Sequence, residues 1–302
     1  MSRAVGFTLP GAQPIDAACA LELLELAADA GLDPLLSTEV CGVSATSIAA
    51  ALAARRPGLQ TGTAIVPLAS RSEAALAMEA TTAAQIAGGR FLLGVGTSTT
   101  QIVTGWHGQR HDPSLATTRQ RIRTLRGLLR GERRGSFRLL VPAGDDVSIL
   151  LAALGPGMID VALREADGVI INFTSPTDVP AAPDGQMVFA FCWVIASANG
   201  VSRARRELVS YIVAAPYARH FARLGFGAVV DTVRALQRDG RLREAPDAVP
   251  ERMVEAFYTT PDTLPARIRA YQRAGAVPLV LPVTGDDPSS DIRALLRAAP
   301  WA

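Results

Sequence analysis

An apolar run, then an amphipathic stretch that stops at glycine, recurs through residues 4–97, and few folds accept that order. Residues 4–10, 34–40, 59–67 and 90–97 read as strands. Between them, 15–30, 44–55 and 70–87 read as helices, the first carrying Leu23, Leu24, Leu26 and Ala27 on one face and the second with Ser44 as its cap. These helices close on Gly31, Gly58 and Gly88-Gly89, the residue type that most readily takes a left-handed conformation past a helix end. Strand, helix and strand in that repeating order require right-handed crossovers and a parallel sheet.

The second half continues the pattern. Strands are expected at 148–154, 168–173, 187–196 and 277–283, which makes eight, with an extra one at 136–141. Helices are expected at 114–130, 156–165, 202–215, 263–274 and 290–298, while 216–258 has helical periodicity with no strand and reads as a helical insertion. Eight units in 302 residues fit one (β/α)₈ barrel domain, a TIM barrel, over residues 1–302. An open doubly wound sheet has the same periodicity and stays as the rival. In a barrel the chemistry sits on the loops after the strands' C-terminal ends.

All 30 basic residues are Arg, with no Lys. That excludes a Schiff-base lysine, a pyridoxal-phosphate enzyme and the lysine of a phosphate-binding P-loop. Net charge is only +2. The densest basic stretch, Arg119 to Arg134, is interleaved with Leu125, Leu128 and Leu129, which is a solvated helix face, so nucleic acid is not an expected partner. No apolar stretch reaches the roughly 18–20 residues of a membrane span. Met1-Ser2-Arg3 runs directly into a strand without a signal-peptide layout, and Cys19, Cys41 and Cys192 are widely spaced. The expectation is a cytoplasmic protein without disulfides.

Several strand ends carry chemistry. Thr38-Glu39 closes the second strand, where a carboxylate can move a proton or bond a cofactor. Gly94-Val95-Gly96-Thr97-Ser98 lacks the third glycine of a dinucleotide fingerprint, so its glycines read as places of close ligand approach. Ala153-Leu154-Gly155-Pro156-Gly157-Met158 runs a buried strand into a helix N-terminus, which holds a phosphate through backbone amides without any Lys; a plain strand-to-helix turn reads the same way. His107 and His111 lack a third ligand at metal spacing. His220 reads as a partly exposed structural residue, and no Gly-x-Ser-x-Gly elbow occurs.

The order of these pieces resembles the bacterial luciferase-like flavin and deazaflavin oxidoreductases. The resemblance rests on Gly62 to Pro67, Gly88 to Gly96, Gly105-Trp106-His107-Gly108, Arg119 to Gly131, Ala153 to Met158, Ala166 to Ile170, Thr260-Pro261 and Ile268 to Ala276. It implies a (β/α)₈ barrel, usually a homodimer, with a flavin-type ring at the C-terminal strand ends. It also implies a non-prolyl cis peptide at or next to Ala64-Ile65, with Thr38, Gly96 and Thr97 near the cofactor. Ala153, Leu154 and Gly155 would take its phosphate side. Thr174 and Ser175 would face substrate or cofactor, and Trp106, His107 and Trp193 would border the substrate. The position matching Glu39 is usually Asp followed by His; Val40 stands in place of that His, leaving Glu39 as the proton donor. The implied activity is hydride transfer between reduced coenzyme F420 and a small molecule with a C=C or C=N bond. The alternatives are an FMN-dependent monooxygenase and a non-catalytic luciferase-like subunit.

Overall fold

The structure, a computed structural model, describes residues 4–197, 199–298 and 301. Residues 1–3, expected to start the chain without a leader, lie outside them.

The strands are β1 (Gly6–Thr8), β2 (Leu35–Ser37), β3 (Thr61–Pro67), β4 (Phe91–Gly96), β5 (Val147–Ala153), β6 (Gly168–Ile171), β7 (Met187–Ile195), β8 (Tyr258–Thr259) and β9 (Val277–Val283). β1 to β7 pair in sequence order, β7 pairs with β9, and β9 pairs with β1, all in parallel. The ring is therefore closed, as Gly6 beside Leu279 and Gly168 beside Met187 mark. The open sheet is ruled out and the eight-stranded TIM barrel stands. The two-residue β8 adds to β7 at Trp193 and Val194, outside the ring order.

The helices are α1 (Ala17–Asp29), α2 (Ala45–Arg55), α3 (Glu73–Ile86), α4 (Leu115–Leu129), α5 (Pro156–Glu165), α6 (Gly200–Ile212), α7 (Ala215–Phe221), α8 (Gly227–Arg238), α9 (Glu251–Phe257), α10 (Leu264–Arg273) and α11 (Pro288–Ala298). Local chemistry sets many of their ends. Asp16, Ser72 and Ser114 accept the Cys19, Ala75 and Thr117 amides as N-caps, and Gly31 and Gly58 take φ of +84° and +95°. Ser44 does not cap α2 with its side chain; its hydroxyl lies 3.3 Å from that of Thr46.

Strand parity divides the core in two. Phe91, Leu93 and Val95 of β4 face the outer helices, whereas Leu92 faces the barrel interior; Ile149 and Leu151 of β5 face out and Leu150 in. Burial on both faces explains why the strands read as continuous apolar runs. The interior layer, with Leu36, Ala64, Ile170, Phe189 and Leu279, continues without a break into α6 to α9. Helices α6 and then α7 to α9 occupy the stretches expected as a helix at 202–215 and a helical insertion at 216–258, and their apolar side caps the barrel's C-terminal mouth. The extra strand expected at 136–141 does not form: only an isolated bridge joins Arg134 and Phe137, and Leu140 is 95% exposed. Among the described residues no helix is long and apolar enough to cross a membrane.

Two glycines are dictated by closure. A Cβ at Gly62 would lie 2.0 Å from the Leu92 carbonyl oxygen, and one at Gly94 would lie 2.0 Å from that of Thr63. Backbone cannot yield as a flexible side chain can. Gly94→Ala is expected to cost about 3 kcal/mol of stability, the upper end for overpacking a core, measured by urea unfolding; a loss within experimental error would show that the strands separate freely.

Candidate active site

The rim is assembled by hydroxyls. Thr38 Oγ1 donates to the Ala64 carbonyl at 2.7 Å and lies 2.9 Å from the Thr8 hydroxyl, while the Glu39 amide donates to the Ile65 carbonyl at 3.2 Å. These bonds tie the ends of β1, β2 and β3 together where the β3–β4 register shifts, between Thr63 and Val66. The Ala64–Ile65 peptide is cis, at the position the resemblance implied. Gly96 completes the floor: its missing side chain would stand 3.1 Å from Ile65 and 3.2 Å from Ala152. Thr97 is held by His111, whose Nε2 lies 3.1 Å from the Thr97 carbonyl and whose Nδ1 lies 2.9 Å from the Thr100 hydroxyl. His111 is thus a loop clamp, and among the described residues no group of three His, Cys, Asp or Glu can hold a metal ion.

Glu39 does not sit as a free acid. Its carboxylate meets the Arg71 guanidinium in a fork, Nη1 to Oε1 at 2.5 Å and Nη2 to Oε2 at 2.8 Å, and Oε2 also accepts the Ala45 amide at 3.1 Å. The two side chains are only 13% and 18% exposed, and Arg71 makes a second pair with Glu79 at 3.1 Å. Hydrogen bonding to Glu39 raises the Arg71 pKa above its usual value, and burial opposes this. Glu39 therefore anchors the β2 loop and supplies the contact at the start of α2 that Ser44 does not.

The β5 end is open to an anion. β5 stops at Ala153, Gly155 takes the N-cap position with no side chain to offer, and Pro156 opens α5. The first amides of a helix have no intrahelical acceptor, and the dipole makes that end positive. Arg223, from the turn between α7 and α8, donates to the Leu154 carbonyl at 2.9 Å and lies 3.0 Å from where a Gly155 Cβ would be. It also reaches His220 Nδ1 at 3.3 Å, and His220 Nε2 donates to the Phe173 carbonyl at 2.8 Å. His220 is 4% exposed, not partly exposed as expected. Burial first, and Arg223 in addition, lower its pKa from the usual 6.5 and keep the ring neutral.

An aromatic group fills the β6–β7 side. Phe173 stacks on Trp193 with centroids 5.1 Å apart and planes 11° from parallel. Tyr211 meets Phe173 edge-on at 4.7 Å, and Phe221 and Tyr258 stand 5.3 Å from Phe173 and 5.8 Å from Trp193 respectively. Phe173 has φ of +47°, rare for a bulky residue. Asn172 supports it, its Oδ1 accepting both the Phe173 amide and Trp193 Nε1 at 2.8 Å. Trp193 thus belongs to the aromatic group at the mouth. Thr174 and Ser175 instead hold a turn: the Thr174 hydroxyl donates to the Asn172 carbonyl at 3.2 Å, and that of Ser175 donates to Asp178 at 2.5 Å. Trp106 ends a π-helical turn (Gln101–Trp106), 48% exposed; His107 beside it is exposed, and no described aromatic ring packs on Trp106.

One acid lies on the apolar side of an insertion helix. On α6, Gly200, Ala204, Leu208 and Ile212 are buried, and Glu207 shares their stripe. Its Oε2 and the Tyr258 hydroxyl are buried with no hydrogen-bond partner beyond each other, and the hydroxyls of Ser197 and Thr284, beyond β7 and β9, are buried with none. Burial pushes the Glu207 carboxyl up from 4.5 to about 7, against the pull of Arg203 and the Tyr258 hydroxyl. Asn172, Phe173, Arg223, Glu207 and Tyr258 carry no motif; the one available signal was an acid at a core position of an amphipathic helix.

The model of the luciferase-like monooxygenases matches residues 4–277. A Mycobacterium tuberculosis protein named as a coenzyme F420-dependent oxidoreductase is 28% identical over 324 aligned residues, covering 91% of this chain and 93% of the relative. The coenzyme F420-dependent tetrahydromethanopterin reductase of Methanopyrus kandleri superposes with a TM-score of 0.77 at 19% identity, covering 98% of each chain. The oxygenating constituent of 3,6-diketocamphane monooxygenase from Pseudomonas putida, in complex with FMN, superposes at 0.60 with 17% identity, covering 98% of this chain and 96% of that one.

A double-mutant cycle on Glu39→Ala and Arg71→Ala is expected to give a coupling of about 2 kcal/mol, within the range for residues in contact; a value near zero would release Glu39 from the ion pair. Glu207 couples stability to pH. With its folded pKa near 7, the native state holds a proton that the unfolded chain sheds above about 4.5, so stability falls as pH rises between these values. Glu207→Gln is expected to remove about 3 kcal/mol of that fall, read by urea unfolding at pH 5 and pH 8; parallel curves for both proteins would contradict it.

Proposed function

The chain belongs to the luciferase-like monooxygenase family, and on that premise we propose that it is a coenzyme F420-dependent oxidoreductase. It moves a hydride between the reduced deazaflavin and a small molecule with a C=C or C=N bond, and acts in the cytoplasm as a homodimer. The relative named for F420, aligned along nearly the whole chain, is the observation that carries the choice of cofactor.

The residues at the mouth fit such a group. The absent Gly96 side chain leaves a floor beside Ile65 and Ala152 that a Cβ would obstruct, which suits the close approach of a flat ring. The uncapped N-terminus of α5 with Arg223 above it suits a phosphate. Ala153, Leu154 and Gly155 would hold that phosphate side; Thr38, Ala64, Ile65, Gly96 and Thr97 would border the ring. When bound, the deazaflavin supplies a hydride and leaves orientation and the proton to the protein.

The chain's own contribution is geometric. Thr38 and His111 fix the backbone on either side of the floor, so a ring lying there meets one defined surface. Phe173 and Trp193, buried and stacked on each other, exclude water from the β6–β7 side. Trp106 and His107 lie on the exposed loop that would border its entry, and Thr174 and Ser175 act through the turn that carries Phe173.

Calorimetric titration tests the proposal directly. F420 is expected to bind in the micromolar range or tighter and FMN far more weakly, with Arg223→Ala weakening F420 about tenfold, the loss of roughly one charge-assisted hydrogen bond. Preferential FMN binding would move the chain to the oxygen-using flavin branch, and binding of neither would favour the non-catalytic subunit.

A further inference from the structure

Of the acids at the mouth, Glu39 is occupied by Arg71 and Ala45. Other titratable groups there are also spent: His220 is bonded through both ring nitrogens, and the Tyr271 hydroxyl donates to the Thr174 carbonyl at 2.7 Å. Glu207 differs. Its buried Oε2 and the Tyr258 hydroxyl have no partner beyond each other.

Their position gives these two groups a direction. Glu207 lies one turn before Tyr211, whose ring meets Phe173 at 4.7 Å. Tyr258 pairs in register with Trp193 and stands 5.8 Å from it ring to ring. The carboxyl is thus flanked by two members of the aromatic group that stacks at the mouth. A buried polar atom without a partner costs free energy, about 1–3 kcal/mol, unless a ligand or water completes it. An acid and a phenol with no partner beyond each other, beside an aromatic group, can be completed by a flat molecule with one hydrogen-bond acceptor.

We propose that Glu207 and Tyr258 form the proton-donating end of the substrate pocket, receiving the carbonyl oxygen or imine nitrogen of a planar conjugated substrate at the Trp193 edge of the aromatic group. This rests on the hydride-transfer reading and deepens it by naming the substrate class and the acid. With the hydride supplied by reduced deazaflavin, a new C–H bond forms at the substrate carbon and the π pair moves to the heteroatom. That heteroatom takes the carboxyl proton of Glu207, giving an amine from an imine or an enol, and then a ketone, from a conjugated enone. The remaining carboxylate regains its proton from solvent. The Tyr258 hydroxyl donates a second hydrogen bond to the same heteroatom and keeps it oriented.

The groups that bear on this proton are few. Arg203, one turn earlier on α6, pulls the carboxyl toward ionisation but is itself bound to the Gly285 carbonyl at 2.8 Å. Tyr258 faces it from β8, Tyr211 lies one turn on, and burial favours the protonated form. The acid is therefore available at neutral pH, as a general acid should be.

The test uses the full chain without cofactor and 2-cyclohexen-1-one as probe, followed by tryptophan fluorescence and by the infrared carboxyl band. In the wild type a protonated-carboxyl band is expected below pH 7, absent in Glu207→Gln and displaced by the enone. Enone affinity should fall about tenfold per pH unit above 7, as binding to a protonated acid requires. Glu207→Gln should bind more weakly and without pH dependence, and Tyr258→Phe more weakly with the dependence kept. Enone binding that ignores pH and both substitutions, or a band that the enone leaves in place, would overturn the assignment. F420 titration of the same proteins separates the two claims. Intact F420 binding with pH-independent enone binding counts against Glu207 alone, whereas no F420 binding in the wild type counts against the hydride-transfer reading.

Discussion

Backbone pairing around a closed ring underlies everything else in this molecule. Each strand of the ring has a hydrogen-bonded neighbour on both edges, and β1 beside β9 removes the last free edge. Closure demands that backbones approach where Gly62 and Gly94 stand, and it turns all the parallel strands to deliver their C-terminal ends at one rim. The loops after β2, β3, β4, β5 and β6 can then act on one another although they are far apart in the chain. The contacts of Thr38 with Ala64 and of His111 with Thr97 are consequences of that convergence.

The insertion between β7 and β9 gives the rim its character. In place of a single crossover helix, α6 to α9 lay an apolar surface across the mouth that is continuous with the barrel interior. They bring Arg223 to the α5 N-terminus, His220 to the Phe173 carbonyl, and Glu207 with Tyr258 to the aromatic group. Two carboxylates at this rim then behave in opposite ways for physical reasons. Glu39 is taken up by the Arg71 guanidinium and the Ala45 amide; Glu207 is buried among aromatic rings, which favours its proton. Environment, and not residue type, separates an anchor from an acid.

Legibility in the sequence followed the range of the interactions. The strand at 187–196 and the helix at 114–130 were readable because periodicity and caps act within a few residues, and both fall within a residue or two of the observed ends. The loop that was read as a strand at 136–141 failed because its alternating pattern had no neighbour to pair with: Leu140 and Val141 remain exposed. Ser44 stands at the cap position, but the acceptor at the start of α2 is Glu39, six residues before the Ala45 amide that it takes. The left-handed turn at Phe173, which no local pattern announces, sends that ring to the mouth and places the Thr174 and Ser175 hydroxyls in the turn.

By itself the sequence determined the order of eight strand–helix units, the helix stops at Gly31 and Gly58, and a helix N-terminus after Gly155 with no side chain to cap it. Each depends on spacing or on backbone freedom that a few neighbouring residues specify. Tertiary structure alone decided that Glu39 would be paired, since Arg71 lies 32 residues away and meets it only when β2 and β3 pair. It alone decided that Asn172 would hold both Phe173 and Trp193, and that Glu207 would keep a buried oxygen with no partner beyond Tyr258. Charge and burial at a site depend on which distant segments are packed together, and that packing exists only once the ring has closed and the insertion has settled over its mouth.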